Sequence, residues 1–288
     1  MLRAATTLRA FVAAASMARA FDRCIVTGAG TGIGRAVSRD LCARGLDVVG
    51  VGRTAATLAE TASGCGERFR GVVADVATAE GRAVIAEAAG DAAIKTLLVH
   101  NAARTGQLEE VGSLSLDDWR RTMATNVEGP LFLTQALLQT LAPGSRVLHV
   151  SSGASEVGFA GMAPYCASKA ALRSVYQSLR DELAPRGILV GSMQPGVVDT
   201  PMQEQILAAP EFPMKGYFLG LRAETTTSNA FAAPRPPPAA GLDAPPNVAA
   251  FVSWLALSCP AEEFVSKDWD IQDASHHAAW TRGLIDVT

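Results

Sequence analysis

No C-x-x-C pair occurs in this chain, and its five cysteines (Cys24, Cys42, Cys65, Cys166 and Cys259) are scattered and odd in number. That pattern argues against a structural zinc site and against a disulfide framework, and it fits a reduced compartment. Charge is sparse as well: 18% of residues are charged and the net charge is -3, so no basic excess points to nucleic acid as a partner. No apolar run reaches the roughly 18 residues that a membrane-spanning helix needs. What the chain does have is apolar bulk. Hydrophobic residues make up 49% of 288 residues, enough for a compact domain with a large core. Length alone allows one or two domains.

The first twenty residues differ from the rest. They carry Arg3, Arg9 and Arg19, many small residues and no acid, the composition of an organelle transit peptide. An ordinary disordered extension, or a true start at Met17, accounts for them equally. The protein is therefore expected in the cytoplasm, or in a mitochondrion or plastid if residues 1–20 are a transit peptide. Fold reasoning starts near Phe21, with the catalytic domain expected over 21–288.

From there, short β-rich runs alternate with helical patterns. Strands are expected at Cys24–Thr27, Asp47–Val51, Arg70–Ala74, Thr96–His100, Arg146–Val150 and Ile188–Met193. Helices are expected at Ile33–Ala43, Ala55–Ser63, Ala79–Ala89, Leu116–Leu141, Tyr165–Leu183 and Val248–Ser258. Alternation of this kind implies an α/β fold: a single doubly wound, Rossmann-type parallel sheet with helices on both faces. Ligands in such sheets bind beyond the carboxyl ends of the strands. Regularity is expected to stop near Thr200, giving a substrate loop over 201–246 with a proline-rich stretch at 223–247. Its apolar residues Met202, Ile206, Leu207, Phe212, Met214, Tyr217 and Phe218 either line a pocket or pack the loop down.

Two local patterns carry chemistry. The first strand runs into TGAGTGIG, Thr27 to Gly34, with Gly28, Gly32 and Gly34 spaced G-x-x-x-G-x-G. Glycines there permit a tight turn, close approach of backbone to a pyrophosphate and close helix–strand packing. The amides of Thr31, Gly32 and Ile33 open the following helix and would face the phosphates. An acid at the end of the second strand would select NAD, but this chain reads VVGVGR and has no acid before Glu60. Arg53 can instead pair with a 2′-phosphate, so NADP(H) is the expected cofactor; a solvated surface arginine is the alternative. The second pattern is Tyr165 and Lys169 in YCASK, thirteen residues after Ser152. Four residues apart on a helix, phenol and ammonium address one point. The positive charge is expected to lower the tyrosine pKa from roughly 10 and suit it to exchange a proton with a carbonyl or alcohol oxygen.

Together with Asp75-Val76, HNAA at 100–103, Asn126 and PGVVDT at 195–200, these motifs resemble the short-chain dehydrogenase/reductase family over roughly Arg23 to Thr200. The resemblance implies roles by position. Asp75 and Val76 would hold the adenine, and Asn101 would lie beside the adenosine ribose. Lys169 would bind the nicotinamide ribose, and Val198 and Thr200 would fix the carboxamide. Ser152 would hold the substrate oxygen and Tyr165 would handle its proton. Asn126, in the long helix, would hold a water relaying protons to Lys169. The resemblance also implies a homodimer or homotetramer formed through the helices near 116–141 and 165–183. PGVVDTPMQEQI and the WDIQD tail are similar to the branch with benzil and sepiapterin reductases, which implies reduction of a ketone or vicinal dicarbonyl. A 3-oxoacyl-type reductase and a non-catalytic NADP(H)-binding module are the other readings. His100, where the family has Asn, is expected to be packed rather than catalytic, and the family's glycine-rich last strand is expected to be missing.

Overall fold

Period-two alternation in the strands dictates which side chain meets which layer. A computed structural model of the chain describes residues 20–210, 212–224 and 241–282. In β1 (Arg23–Thr27), Cys24 and Val26 face one helical layer while Ile25 faces the other. Six more strands follow: β2 (Val48–Gly52), β3 (Phe69–Val73), β4 (Thr96–His100), β5 (Arg146–Val150), β6 (Leu189–Gln194) and β7 (Asp268–Asp270). They form one parallel sheet in the order β3-β2-β1-β4-β5-β6-β7. The order reverses between β1 and β4, and that switch point opens a crevice for ligands.

Helices α1 (Gly32–Ala43), α2 (Ala55–Ala62) and α3 (Ala79–Ala89) follow the first three strands. α3 starts where Thr78 accepts a hydrogen bond from the Gly81 amide (3.0 Å) and stops at Gly90, whose φ is 76°. α4 (Leu116–Met123), α5 (Gly129–Leu137) and α6 (Ala163–Leu183) come next, then α7 (Pro201–Ala208), α8 (Lys215–Glu224) and α9 (Pro245–Leu257). One core layer packs α1 and α9 on the sheet through Val37, Leu41, Phe251 and Leu255. The opposite layer packs α3, α5 and α6 through Ile85, Leu133, Leu137, Tyr176 and Leu179. Each fully buried aliphatic side chain contributes about 1.5–3 kcal/mol.

Four expectations need correction. The run Leu116–Leu141 is not one helix: a π turn, Ala124–Glu128, separates α4 from α5. Pro130 has no amide for the Asn126 carbonyl four residues back, so the α-helical ladder cannot continue through it. Order does not stop at Thr200, since α7 and α8 follow it. The helix expected from Val248 begins at Pro245, because proline at a first helical position is already set to helical φ and its missing donor costs nothing there. Finally, the glycine-rich last strand is absent among the described residues, as expected, but a strand of other composition takes a place where none is expected. Asp268–Asp270 pairs with β6 without any glycine and buries Trp269 to 3% exposure. The expectations for residues 1–19 and for the proline-rich stretch over 225–240 lie outside the described residues.

Candidate active site

At the end of β1 the chain turns through Gly28 (φ 68°) and Gly32 (φ 51°), a backbone region that only glycine adopts without strain. Gly34 is required for a different reason. A Cβ there would lie 2.2 Å from the Gly28 carbonyl oxygen and 2.5 Å from Asn101 Nδ2. Asn101 follows β4 and ties the two central strands together. Its side chain donates to the Thr27 carbonyl (2.8 Å), and its amide donates to Thr27 Oγ1 (3.0 Å). Thr31 precedes α1 in extended conformation and its side chain caps none of the first-turn amides, which leaves those of Gly32 and Ile33 directed at the crevice. Thr200 crosses the loop from the other side, so that a Cβ on Gly32 would meet its Cγ2 at 3.1 Å.

These residues open onto one cavity of about 610 Å³. Of the expected residues, Gly28, Thr31, Gly32, Ile33, Arg53, Asp75, Val76, Asn101, Ser152, Tyr165, Lys169, Val198 and Thr200 line it. Gly34 and Asn126 do not: Gly34 packs beneath the loop, and Asn126 lies behind the wall. The glycine cradle and the uncapped start of α1 fit the pyrophosphate of a dinucleotide. At the same end, Arg53 is exposed and forms no ion pair among the described residues, while Glu60 is bound to Arg35 at 2.7 Å. Asp75 accepts the Ala77 amide at 2.9 Å, which fixes the turn after β3.

The other end of the cavity gathers Ser152, Tyr165 and Lys169. Ser152 extends β5 with φ -168°; its hydroxyl accepts the Ala154 amide at 3.2 Å and shares the cavity wall with the Tyr165 phenol. Tyr165 and Lys169 share one face of α6. Lys169 is 3% exposed, donates to the Val150 carbonyl at 2.9 Å, and lies 5.8 Å from the centre of the Tyr165 ring. Burial brings the Lys169 pKa down to about 8. Burial raises the Tyr165 pKa, and the Ser152 hydroxyl only partly offsets this. Burial therefore turns the expected lowering of the Tyr165 pKa into a raise. Desolvation of the phenolate outweighs an ammonium that is itself buried and engaged with a carbonyl.

Asn126 sits in the π turn, 1% exposed. Its Oδ1 accepts the Arg104 amide (2.9 Å) while Nδ2 donates to the Arg104 carbonyl (2.9 Å) and to Ser168 Oγ (2.8 Å). It thus clamps the chain after β4 to the residue beside Lys169. The apolar residues after Thr200 divide between the two readings. Met202, Ile206, Tyr217 and Phe218 line the cavity, whereas Phe212, Leu207 and Met214 pack behind them. His100 is buried, shares a hydrogen bond with Thr134 Oγ1 (2.8 Å), and is kept neutral by burial.

The chain matches the family model described as short chain dehydrogenase over residues 22–211. The chain belongs to the short-chain dehydrogenase family. Among relatives of this short-chain dehydrogenase, serine 3-dehydrogenase of Agrobacterium fabrum is 33% identical over 61% of this chain and 72% of its own. The 3-oxoacyl-[acyl-carrier-protein] reductase of Pseudomonas aeruginosa is 30% identical over 63% and 76%. A short chain dehydrogenase from Burkholderia cenocepacia, solved in complex with NADP, superposes with a TM-score of 0.66 at 27% identity, covering 86% of this chain and 94% of its own. The protein is thus an oxidoreductase of a family that binds a nicotinamide cofactor, and no helix among its described residues is long and apolar enough to cross a membrane.

Wall residues that escaped sequence reasoning include Phe159, Met162, Gln194, Asp270 and Gln272. Gln194 donates to Glu156 at 3.1 Å and to Asp268 at 3.4 Å. Asp270 and Gln272 belong to the WDIQD tail, whose strand pairs with β6 but lacks the glycine-rich composition that marks the family's last strand.

Proposed function

We propose that this short-chain dehydrogenase is an NADPH-dependent carbonyl reductase acting on ketones or vicinal dicarbonyls. The observation that carries this is the convergence of Ser152, Tyr165 and Lys169 beneath an apolar wall of Phe159, Met162, Met202, Ile206 and Phe218. Bound NADPH supplies the hydride. The chain supplies everything else. Ser152 holds the substrate oxygen through its hydroxyl. Tyr165 donates its proton to that oxygen as negative charge develops, and Lys169 stands behind it. Burial keeps the Tyr165 phenol protonated at neutral pH, the state from which a donor starts, and makes it a weaker acid than a free phenol. Asn126 acts as a positioning residue that fixes Ser168, and with it the turn of α6 that carries Lys169. Gly28, Thr31, Gly32 and Ile33 hold the pyrophosphate, Asp75, Val76 and Asn101 the adenosine, and Val198 and Thr200 the nicotinamide carboxamide. Arg53 pairs with the 2′-phosphate, which supports NADPH over NADH. Pairing of α4, α5 and α6 with a second copy is part of the same reading, and light scattering in solution tests it.

A carbonyl substrate panel run with both cofactors tests the assignment. Turnover of aromatic or vicinal diketones with NADPH is expected, and a clear preference for NADH would sink the cofactor assignment. Similarity to a 3-oxoacyl-[acyl-carrier-protein] reductase favours a second reading, in which the substrate is an acyl thioester. Activity on 3-oxoacyl thioesters but not on diketones would select it.

A further inference from the structure

Two thiols meet on the face of the protein away from the Ser152 end of the cavity. Cys42 lies in the last turn of α1 and is 5% exposed. Cys65 lies in the turn between α2 and β3 and is half-buried. Both thiols are free, and both line one surface cleft with Asp47, Glu67 and Arg68. Both pack against the same core cluster, and Cys42 Sγ donates to the Arg68 carbonyl at 3.7 Å. The cleft is braced by the Arg68–Asp47 ion pair at 3.0 Å. Nothing in the proposed reaction uses this pair.

We infer that Cys42 and Cys65 are a redox-active dithiol that a peroxide closes into a disulfide. Closing the pair requires the two sulfurs that share this cleft to approach the roughly 2.05 Å of an S–S bond. Exposure sets the order of events. Cys65, reachable from the cleft, loses its proton to solvent and attacks one peroxide oxygen: the S–O bond forms, the O–O bond breaks, and the departing hydroxide takes a proton from solvent to become water. Cys42 then attacks the Cys65 sulfenic acid: the S–S bond forms, the S–O bond breaks, and the departing hydroxide takes the Cys42 proton as water. Two thiols and one peroxide become one disulfide and two waters, and the two electrons pass from the sulfurs to the peroxide. Burial pushes the Cys42 thiol up, which suits a resolving rather than an attacking role. Cys24 and Cys259, at 0% and 2% exposure, have no such access. The new bond would join the end of α1 to the turn after α2, two helices whose opposite ends reach the cofactor cavity.

The test is independent of the enzyme's substrate. The full chain, reduced and freed of reductant, is treated with equimolar hydrogen peroxide, its remaining thiols are alkylated, and the peptides are mapped by mass spectrometry. The expected result is a Cys42–Cys65 cross-linked peptide that dithiothreitol reverses, with the other three cysteines alkylated. In Cys42→Ser, Cys65 is expected to accumulate as sulfenic acid trapped by dimedone, and in Cys65→Ser, Cys42 is expected to stay reduced. Alkylation of both cysteines after peroxide, or oxidation of Cys65 to the sulfinic acid with Cys42 still a thiol, would overturn the inference. The wild-type peptide map decides it alone if a variant fails to fold.

Discussion

Replacing Lys169 by Met should abolish turnover and yet leave the protein close to wild-type stability at pH 7. Lys169 is 3% exposed and forms no ion pair with a carboxylate among the described residues, and burial lowers its pKa from 10.5 to about 8. At about 1.4 kcal/mol per tenfold change in proton affinity, the charged form costs the folded state on the order of 3 kcal/mol. Losing the 2.9 Å hydrogen bond to the Val150 carbonyl offsets this by roughly 1.5–3 kcal/mol. The pH dependence separates the two terms. With the folded pKa below the unfolded one, the unfolded chain binds more protons between about pH 8 and 10.5, so this group makes wild-type stability rise across that window. Urea denaturation of both proteins from pH 7 to 10 measures the difference. The wild type should gain up to about 3 kcal/mol relative to Lys169→Met as pH rises. Parallel stability curves, or a variant several kcal/mol weaker at pH 7, would refute the reasoning that the buried ammonium is held against a desolvation cost.

Three other perturbations follow from particular contacts. Gly34→Ala places a methyl 2.2 Å from the Gly28 carbonyl oxygen and should cost about 1–3 kcal/mol while weakening cofactor binding, as read by thermal melting and cofactor titration. Arg53→Ala should raise the KM for NADPH by about 10- to 100-fold, the loss of one charge-assisted contact, and leave that for NADH nearly unchanged. His149 is fully buried, neither ring nitrogen has a hydrogen-bond partner among the described residues, and burial lowers its pKa to about 3. Because only the unfolded chain takes up this proton between about pH 6.5 and 3, stability should fall as pH drops through that window, by up to about 4–5 kcal/mol. His149→Leu should flatten that acid limb in a pH-resolved denaturation series.

Most of the sheet and the wall of the site could be read from the chain because each element announces itself locally. The strands are short apolar runs bounded by glycine. The phosphate loop needs Gly28 and Gly32 for their φ, and Tyr165 and Lys169 share a face by helical spacing alone. What escaped depended on long-range partners. β7 has three residues and no strand-like composition, and it exists because Trp269 fills the space beside β6. The π turn at Asn126 is a consequence of Pro130, four residues further on. The sign of the Tyr165 shift depends on how much water the fold removes from the phenol, a quantity that helical spacing does not contain.

The most direct test of the account is Tyr165→Phe, assayed for NADPH binding and for carbonyl reduction in the same preparation. The account predicts that turnover falls by several orders of magnitude while the NADPH dissociation constant stays within a few-fold of wild type. Retained reduction in the phenylalanine variant would contradict the claim that Tyr165 delivers the proton.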